Sequence, residues 1–163
     1  MHVMEMLSLK GKVALVTGGA GKYGKPMVEA LAEAGATVFT ASRTLETNEE
    51  YAASLREKGL NVFAESYDMG SEESIVALKD RLVAAYGKVD ILVNNAGITK
   101  DGLLMRMKES DWDAVLTTNL KSVFLFVKAL QRTLMKSGAG RIINMSSIVG
   151  LSGNLGQANY SAS

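Results

Sequence analysis

Five short apolar runs rich in β-branched residues recur along the chain: VALVT from Val13, TVFTAS from Thr37, NVFAES from Asn61, VDILVNN from Val89 and RIINMS from Arg141. Runs of this length and composition predict β-strands. They are close to continuously apolar rather than alternating, so the sheet they predict is covered on both faces, as parallel sheets are. Their starts lie 24, 24, 28 and 52 residues apart. Each gap holds a helical pattern, which is the spacing that parallel strands joined by crossover helices require. In the first gap Met27, Val28, Leu31 and Ala34 form a stripe. In the third, Ile75, Leu78, Leu82 and Ala85 do so after a Ser71-x-x-Ser74 start with Glu72 and Glu73 in the first turn. The stripe between Leu45 and Lys58 is weaker. The last gap predicts one long helix over 103–136, with Trp112, Leu116, Leu120, Val123, Val127, Leu130 and Leu134 on a single apolar face and a stop at Gly138-Ala139-Gly140. The pattern is that of a doubly wound α/β sheet.

Composition narrows the chemistry. The 163 residues include no Cys, and their one His is His2. Disulfides, Cys-ligated zinc, cysteine nucleophiles, Ser-His-Asp triads and His-based metal sites are therefore excluded, and no metal site is expected. A net charge of +1 supplies no general electrostatic footprint for nucleic acid or for an anionic membrane. No apolar run reaches the length of a membrane span. Residues 1–9 lack the basic start and the long apolar core of a signal peptide. The expectation is a disordered leader over residues 1–9, then one cytoplasmic domain over 10–163, with neither nucleic acid nor membrane as partner.

The first strand runs directly into Thr17-Gly18-Gly19-Ala20-Gly21-Lys22-Tyr23-Gly24-Lys25-Pro26. A glycine triplet alone fits any strand-to-helix turn, but here it closes the first strand of a βαβ unit and opens its helix. Glycines 18, 21 and 24 allow a tight turn and let a pyrophosphate approach the free N–H groups of the helix start. The reading is a Rossmann-type dinucleotide site. A triphosphate-cradling loop is excluded, because no Gly-Lys-Ser/Thr follows. At the end of the second strand, Ser42 and Arg43 stand where such folds read the adenosine ribose, with no acid before Glu46. A guanidinium there pairs with a 2′-phosphate, so NADP(H) is expected over NAD(H).

With that loop, Asp68-Met69 after the third strand, Asn94-Asn95-Ala96-Gly97 after the fourth, Asn119 in the long helix, Ser147 after the fifth strand and Tyr160 thirteen residues later resemble the short-chain dehydrogenase/reductase family. The resemblance runs from Lys10 to Ser163. GITKDGLLMR and GRIINMSSIVGLSGNLGQANYSAS look most like 3-oxoacyl-[acyl-carrier-protein] reductases. GKYGKP and ASRTLETNEEYAASLREKG look more like reductases of sugars or sugar acids, and Lys22 stands where the family's commoner loop has its middle glycine. The resemblance implies hydride transfer between NADP(H) and a carbonyl or alcohol, on a small-molecule or acyl-carrier-bound substrate. It implies that Tyr160 is the acid-base group, that Ser147 hydrogen-bonds the substrate oxygen and that Asn119 holds a water. It places Asn95, Ala96 and Gly97 on the adenosine side, Asp68 and Met69 at the adenine edge, and Gln157 in the substrate pocket. Taken singly, each has a plainer reading. Asn94 and Asn95 can end a strand, Asp68 can cap a helix, and an amide on an apolar stripe, as at Asn119, requires a buried partner of some kind.

A phenol titrates near pH 10 and needs a nearby cation to work at neutral pH. The family supplies that cation from a Lys four residues after the Tyr, whereas the sequence here ends Tyr160-Ser161-Ala162-Ser163. The expectation is a domain lacking its C-terminal strands, inactive as it stands, either a crippled reductase or a dinucleotide-binding fragment. Its fifth strand would form an open sheet edge, and the 103–136 helix would pair with a second copy.

Overall fold

The computed structural model describes residues 3–163, so Met1 and His2 lie outside it. Five strands form one parallel sheet in the order β3-β2-β1-β4-β5: β1 Val13–Thr17, β2 Thr37–Ser42, β3 Val62–Ser66, β4 Ile91–Asn94 and β5 Arg141–Asn144. The chain winds outward from β1 to β3, then crosses back to place β4 on the other side of β1. The switch point between β1 and β4 opens a crevice at the carboxyl ends of the strands, where such sheets bind ligands. In register, Leu15 lies beside Phe39 and Leu92.

All five residues of β1 are buried. Val13 and Leu15 pack on one face with Phe39, Leu92, Ile75, Leu78 and Leu82 from α4 (Glu72–Tyr86), and Phe126, Leu130 and Leu134 from α6 (Ser122–Lys136). Ala14 and Val16 pack on the other with Val28 of α2 (Gly24–Glu33) and Ala52 and Leu55 of α3 (Leu45–Arg56). Alternation along the strand feeds two cores from one run. At the amino end of the sheet, Asp90 is buried; it accepts the Val13 N–H at 2.9 Å and lies 3.3 Å from Lys88 Nζ.

In the described part of the leader, α1 (Val3–Met6) is a helical turn, and Leu9 donates its N–H to the Ala34 carbonyl at 2.7 Å. One expectation is corrected. The single helix over 103–136 is instead a 3₁₀ turn at Leu104–Arg106, an extended Met107–Lys108 step, α5 (Glu109–Leu116), a π-helical segment at Thr117–Lys121 and then α6. Glu109 and Asp111 favour a helix start where α5 begins. The π segment shifts the helical register. As a result Val115, Leu125 and Phe126 face the core, whereas Leu120 and Phe124 stand 51% and 62% exposed. β5 is an open edge, exposed along its length. Among the described residues no helix is long and apolar enough to cross a membrane.

Candidate functional site

β1 ends by turning off the sheet at Gly18, whose φ of 65° an L side chain rarely adopts. Its N–H donates to Ala41 at 2.7 Å, and Gly21 closes the turn by donating to the Gly18 carbonyl at 3.0 Å. The other glycines serve contact. A Cβ on Gly19 would meet Thr40 Oγ1 at 2.3 Å, and one on Gly24 would meet the Gly18 carbonyl oxygen at 2.3 Å. These two therefore pack the loop on the sheet, while Gly18, Ala20, Gly21, Lys22 and Tyr23 line a cleft of about 350 Å³. Tyr23, at the N-cap of α2, makes no side-chain capping bond, which leaves the first turn of the helix to an anion.

The wall opposite is tied to the loop through Thr17. Its Oγ1 accepts the N–H groups of Asn95 and Ala96, each at 3.0 Å, and donates to the Val93 carbonyl at 3.3 Å. Asn95 Nδ2 returns bonds to the carbonyls of Thr17 and Gly18, at 3.0 and 3.1 Å. The turns after β1 and β4 thus form one unit, and Asn95, Ala96 and Gly97 line the same cleft as the glycine loop. Sequence reading did not assign this part to Thr17; a buried hydroxyl at a strand end was the available signal. Asn94 reaches the other way, with Nδ2 donating to Asn144 Oδ1 at 2.8 Å, joining β4 to β5.

Ser42, Arg43 and Met69 complete the cleft. The exposed Arg43 guanidinium forms no ion pair among the described residues, so it is available to a ligand anion. Asp68 lies in an adjoining cavity that Arg43 and Met69 share, and its Oδ1 accepts the Gly70 N–H at 2.9 Å. The cap of α4 is Ser71, which accepts from Ser74 N at 3.1 Å. Burial raises the Tyr67 phenol above its ordinary range, with the Thr17 hydroxyl and the Arg43 charge acting the other way.

A second cavity, about 420 Å³, shares Tyr23, Asn95, Ala96 and Gly97 with the cleft and brings Asn119, Ser147 and Tyr160 together. Asn119 lies in the π-helical segment. Ser147 Oγ accepts the Val149 N–H at 3.2 Å, which leaves its proton free for an oxygen in the cavity. After α7 (Val149–Ser152), Tyr160 is carried on α8 (Ala158–Ser161), and its N–H donates to Asn159 Oδ1 at 2.8 Å. Asn159 is fully buried and donates to the Lys100 carbonyl at 2.9 Å, so it anchors the helix that presents Tyr160. Sequence reading does not assign Asn159; an amide next to Tyr160 is the signal the sequence offers. Gln157 does not line the cavity; it bonds Asp101 at 3.0 Å and Asn154 at 2.8 Å.

A parallel sheet with a glycine loop at its switch point, opening into a cavity that brings Ser147, Tyr160 and Asn119 together, defines a protein of the dinucleotide-binding fold. The chain belongs to the short-chain dehydrogenase family, whose model matches residues 12–163. It is 47% identical over 156 residues to the 3-oxoacyl-[acyl-carrier-protein] reductase FabG of Vibrio cholerae, covering 96% of this chain and 63% of that one. It is 43% identical, with the same coverage, to the Escherichia coli FabG. A gluconate 5-dehydrogenase from Burkholderia cenocepacia, solved with NADP and tartrate, superposes with a TM-score of 0.93 at 32% identity, covering 99% of this chain and 63% of that one. The chain thus spans less than two thirds of the length of these relatives.

Proposed function

We propose that this sequence is the cofactor-binding and acid-base portion of an NADP(H)-dependent carbonyl reductase, most closely a 3-oxoacyl-[acyl-carrier-protein] reductase working in the cytoplasm. The observation that carries the reading is the contiguity of the two cavities through Tyr23, Asn95, Ala96 and Gly97. The glycine loop and α2 start would hold the pyrophosphate, Arg43 and Ser42 the 2′-phosphate, and Asp68 and Met69 the adenine edge. When bound, the nicotinamide supplies or accepts the hydride. Ser147 donates to the carbonyl oxygen as charge develops there, and Tyr160 delivers the proton to that oxygen. Asn119 fixes the loop that forms the shared wall.

The cavity around Ser147 and Tyr160 also contains Val123, Met145 and Ile148 and, among the described residues, no Lys, Arg or His. Such a lining suits a neutral 3-oxo thioester and, to a carboxylate, offers hydroxyl and amide donors but no cation. A sugar-acid reductase is the second reading, supported by the likeness to the gluconate dehydrogenase and by the segments GKYGKP and ASRTLETNEEYAASLREKG.

Oxidation of NADPH with a 3-oxoacyl thioester and with a keto sugar acid separates the readings. Tyr160→Phe should abolish thioester-dependent turnover. Turnover of the keto acid alone overturns the acyl assignment.

A further inference from the structure

Asn48 on α3 is fully buried, 0% exposed, yet lies in neither cavity. Its Nδ2 donates to the carbonyls of Thr40 at 2.6 Å and Glu65 at 3.1 Å, and its Oδ1 accepts the Thr40 hydroxyl at 2.8 Å. One amide thus joins the first turns of α3 to both β2 and β3. At the far end of the helix Arg56 Nη1 donates to the Val62 carbonyl of β3 at 2.9 Å; at its start Asn48 is the residue that bonds the strands. Thr44 at its N-cap makes no side-chain capping bond, and its remaining buried residues are Ala52 and Leu55. Apolar contact is non-directional and tolerates sliding, whereas three hydrogen bonds from one planar amide are satisfied in one geometry. Tyr51 bonds Lys25 and Glu29, which ties α3 to α2 rather than to the strands.

The consequence falls on Arg43. Only Arg43 and Thr44 separate the end of β2 at Ser42 from the start of α3 at Leu45, and Ser42 Oγ closes this step by donating to the Thr44 carbonyl at 3.0 Å. A two-residue connection leaves little slack, so the relation of α3 to β2 sets where the Arg43 backbone stands and from which point its side chain reaches the cleft. The other end of the Asn48 bond, the Thr40 hydroxyl, is the group that a Cβ on Gly19 would strike. The same network therefore braces the glycine loop.

We propose that Asn48 is a positioning residue for cofactor choice, its bonds to Thr40 and Glu65 holding Arg43 at the adenosine end of the cleft. The proposal rests on the reading of Arg43 as the contact for the 2′-phosphate. Asn48 acts through Thr40 and the β2–α3 step and touches no ligand itself.

Titrating NADPH and NADH into the wild type and the variants Asn48→Leu, Thr40→Val and Thr40→Ser, each with a thermal melt, tests it. The wild type prefers NADPH. Asn48→Leu should lower that preference about five- to tenfold, chiefly through weaker NADPH binding. Thr40→Val, which removes one bond at constant shape, should lower it about two- to threefold, and Thr40→Ser should keep the wild-type ratio. If Asn48→Leu shows no cooperative melt, Thr40→Val against Thr40→Ser decides. A wild type without NADPH preference overturns the reading of Arg43 and this proposal with it. A wild type that prefers NADPH, while the folded variants lose stability but keep the ratio, overturns the positioning role alone.

Discussion

Asn119 holds Ile98 by both backbone groups: its Oδ1 accepts the Ile98 N–H at 2.9 Å and its Nδ2 donates to the Ile98 carbonyl at 3.0 Å. The same Nδ2 lies 3.0 Å from Ser163 Oγ. One amide in a π-helical segment therefore ties the loop after β4 to the end of α8, and through them the cofactor cleft to the helix that carries Tyr160. A π segment places one side chain out of step with the helical stripe, which lets a polar residue leave the core face and reach a loop.

Asn119→Ala should cost about 1–3 kcal/mol, since it leaves a peptide N–H and C=O without partners in a partly buried wall. Chemical denaturation measures this as a lower midpoint at unchanged slope. An unchanged midpoint would show that water takes over both groups.

The glycines separate by what surrounds them. Gly24→Ala drives a methyl against the Gly18 carbonyl and Gly19 backbone, at 2.3 and 2.6 Å, and should destabilise the chain by about 2–3 kcal/mol. Gly21→Ala meets only the Gly18 carbonyl, at 3.1 Å. Its methyl should leave the melt within about 1 kcal/mol of wild type and instead weaken dinucleotide binding. Equal effects of the two on stability would contradict this division.

Arg43→Asp should reverse the cofactor preference. The change removes a cation from the cleft and installs the acceptor that a ribose 2′-hydroxyl uses. NADPH binding should fall about tenfold or more while NADH binding holds or improves. Unaltered preference on direct titration would remove Arg43 from the site.

Leu116, Leu120, Val123, Phe124 and Val127 line an open apolar groove of about 580 Å³ on the α5–α6 face. A self-complementary stripe about a two-fold axis is expected to cover it. Sedimentation at micromolar concentration should show a dimer or larger species, and Leu120→Glu with Phe124→Glu should shift it to monomer. A wild-type species at 17.4 kDa would refute self-association through this face.

The strands and their order of appearance were legible because each is a short, mostly apolar run; β1 and β4, buried throughout, are the clearest of them. The glycine loop was legible for a similar reason: the local backbone dictates glycine at Gly18, and a strand before it with a helix after it restricts the context. The 103–136 segment misled, because apolar residues on its surface have the same spacing as those in a core. Periodicity records that a stripe exists and not which surface covers it, so Leu120 read as part of the same face as Leu130 and Leu134 although it stands exposed.

From composition and order alone came the absence of thiol and histidine chemistry in the domain, the doubly wound topology and the residue types available for acid-base work. All of these follow from what is present in the chain and from local backbone preference. The tertiary structure alone decided which polar residues hold the site together. Thr17 with Asn95, Asn119 with Ile98, Asn159 with Lys100 and Asn48 with Thr40 and Glu65 are pairs in which a side chain satisfies groups 8 to 78 positions away. A buried amide is recognisable in sequence as a demand for partners, but hydrogen bonds are short and directional, and only the folded chain determines which groups come within 3 Å.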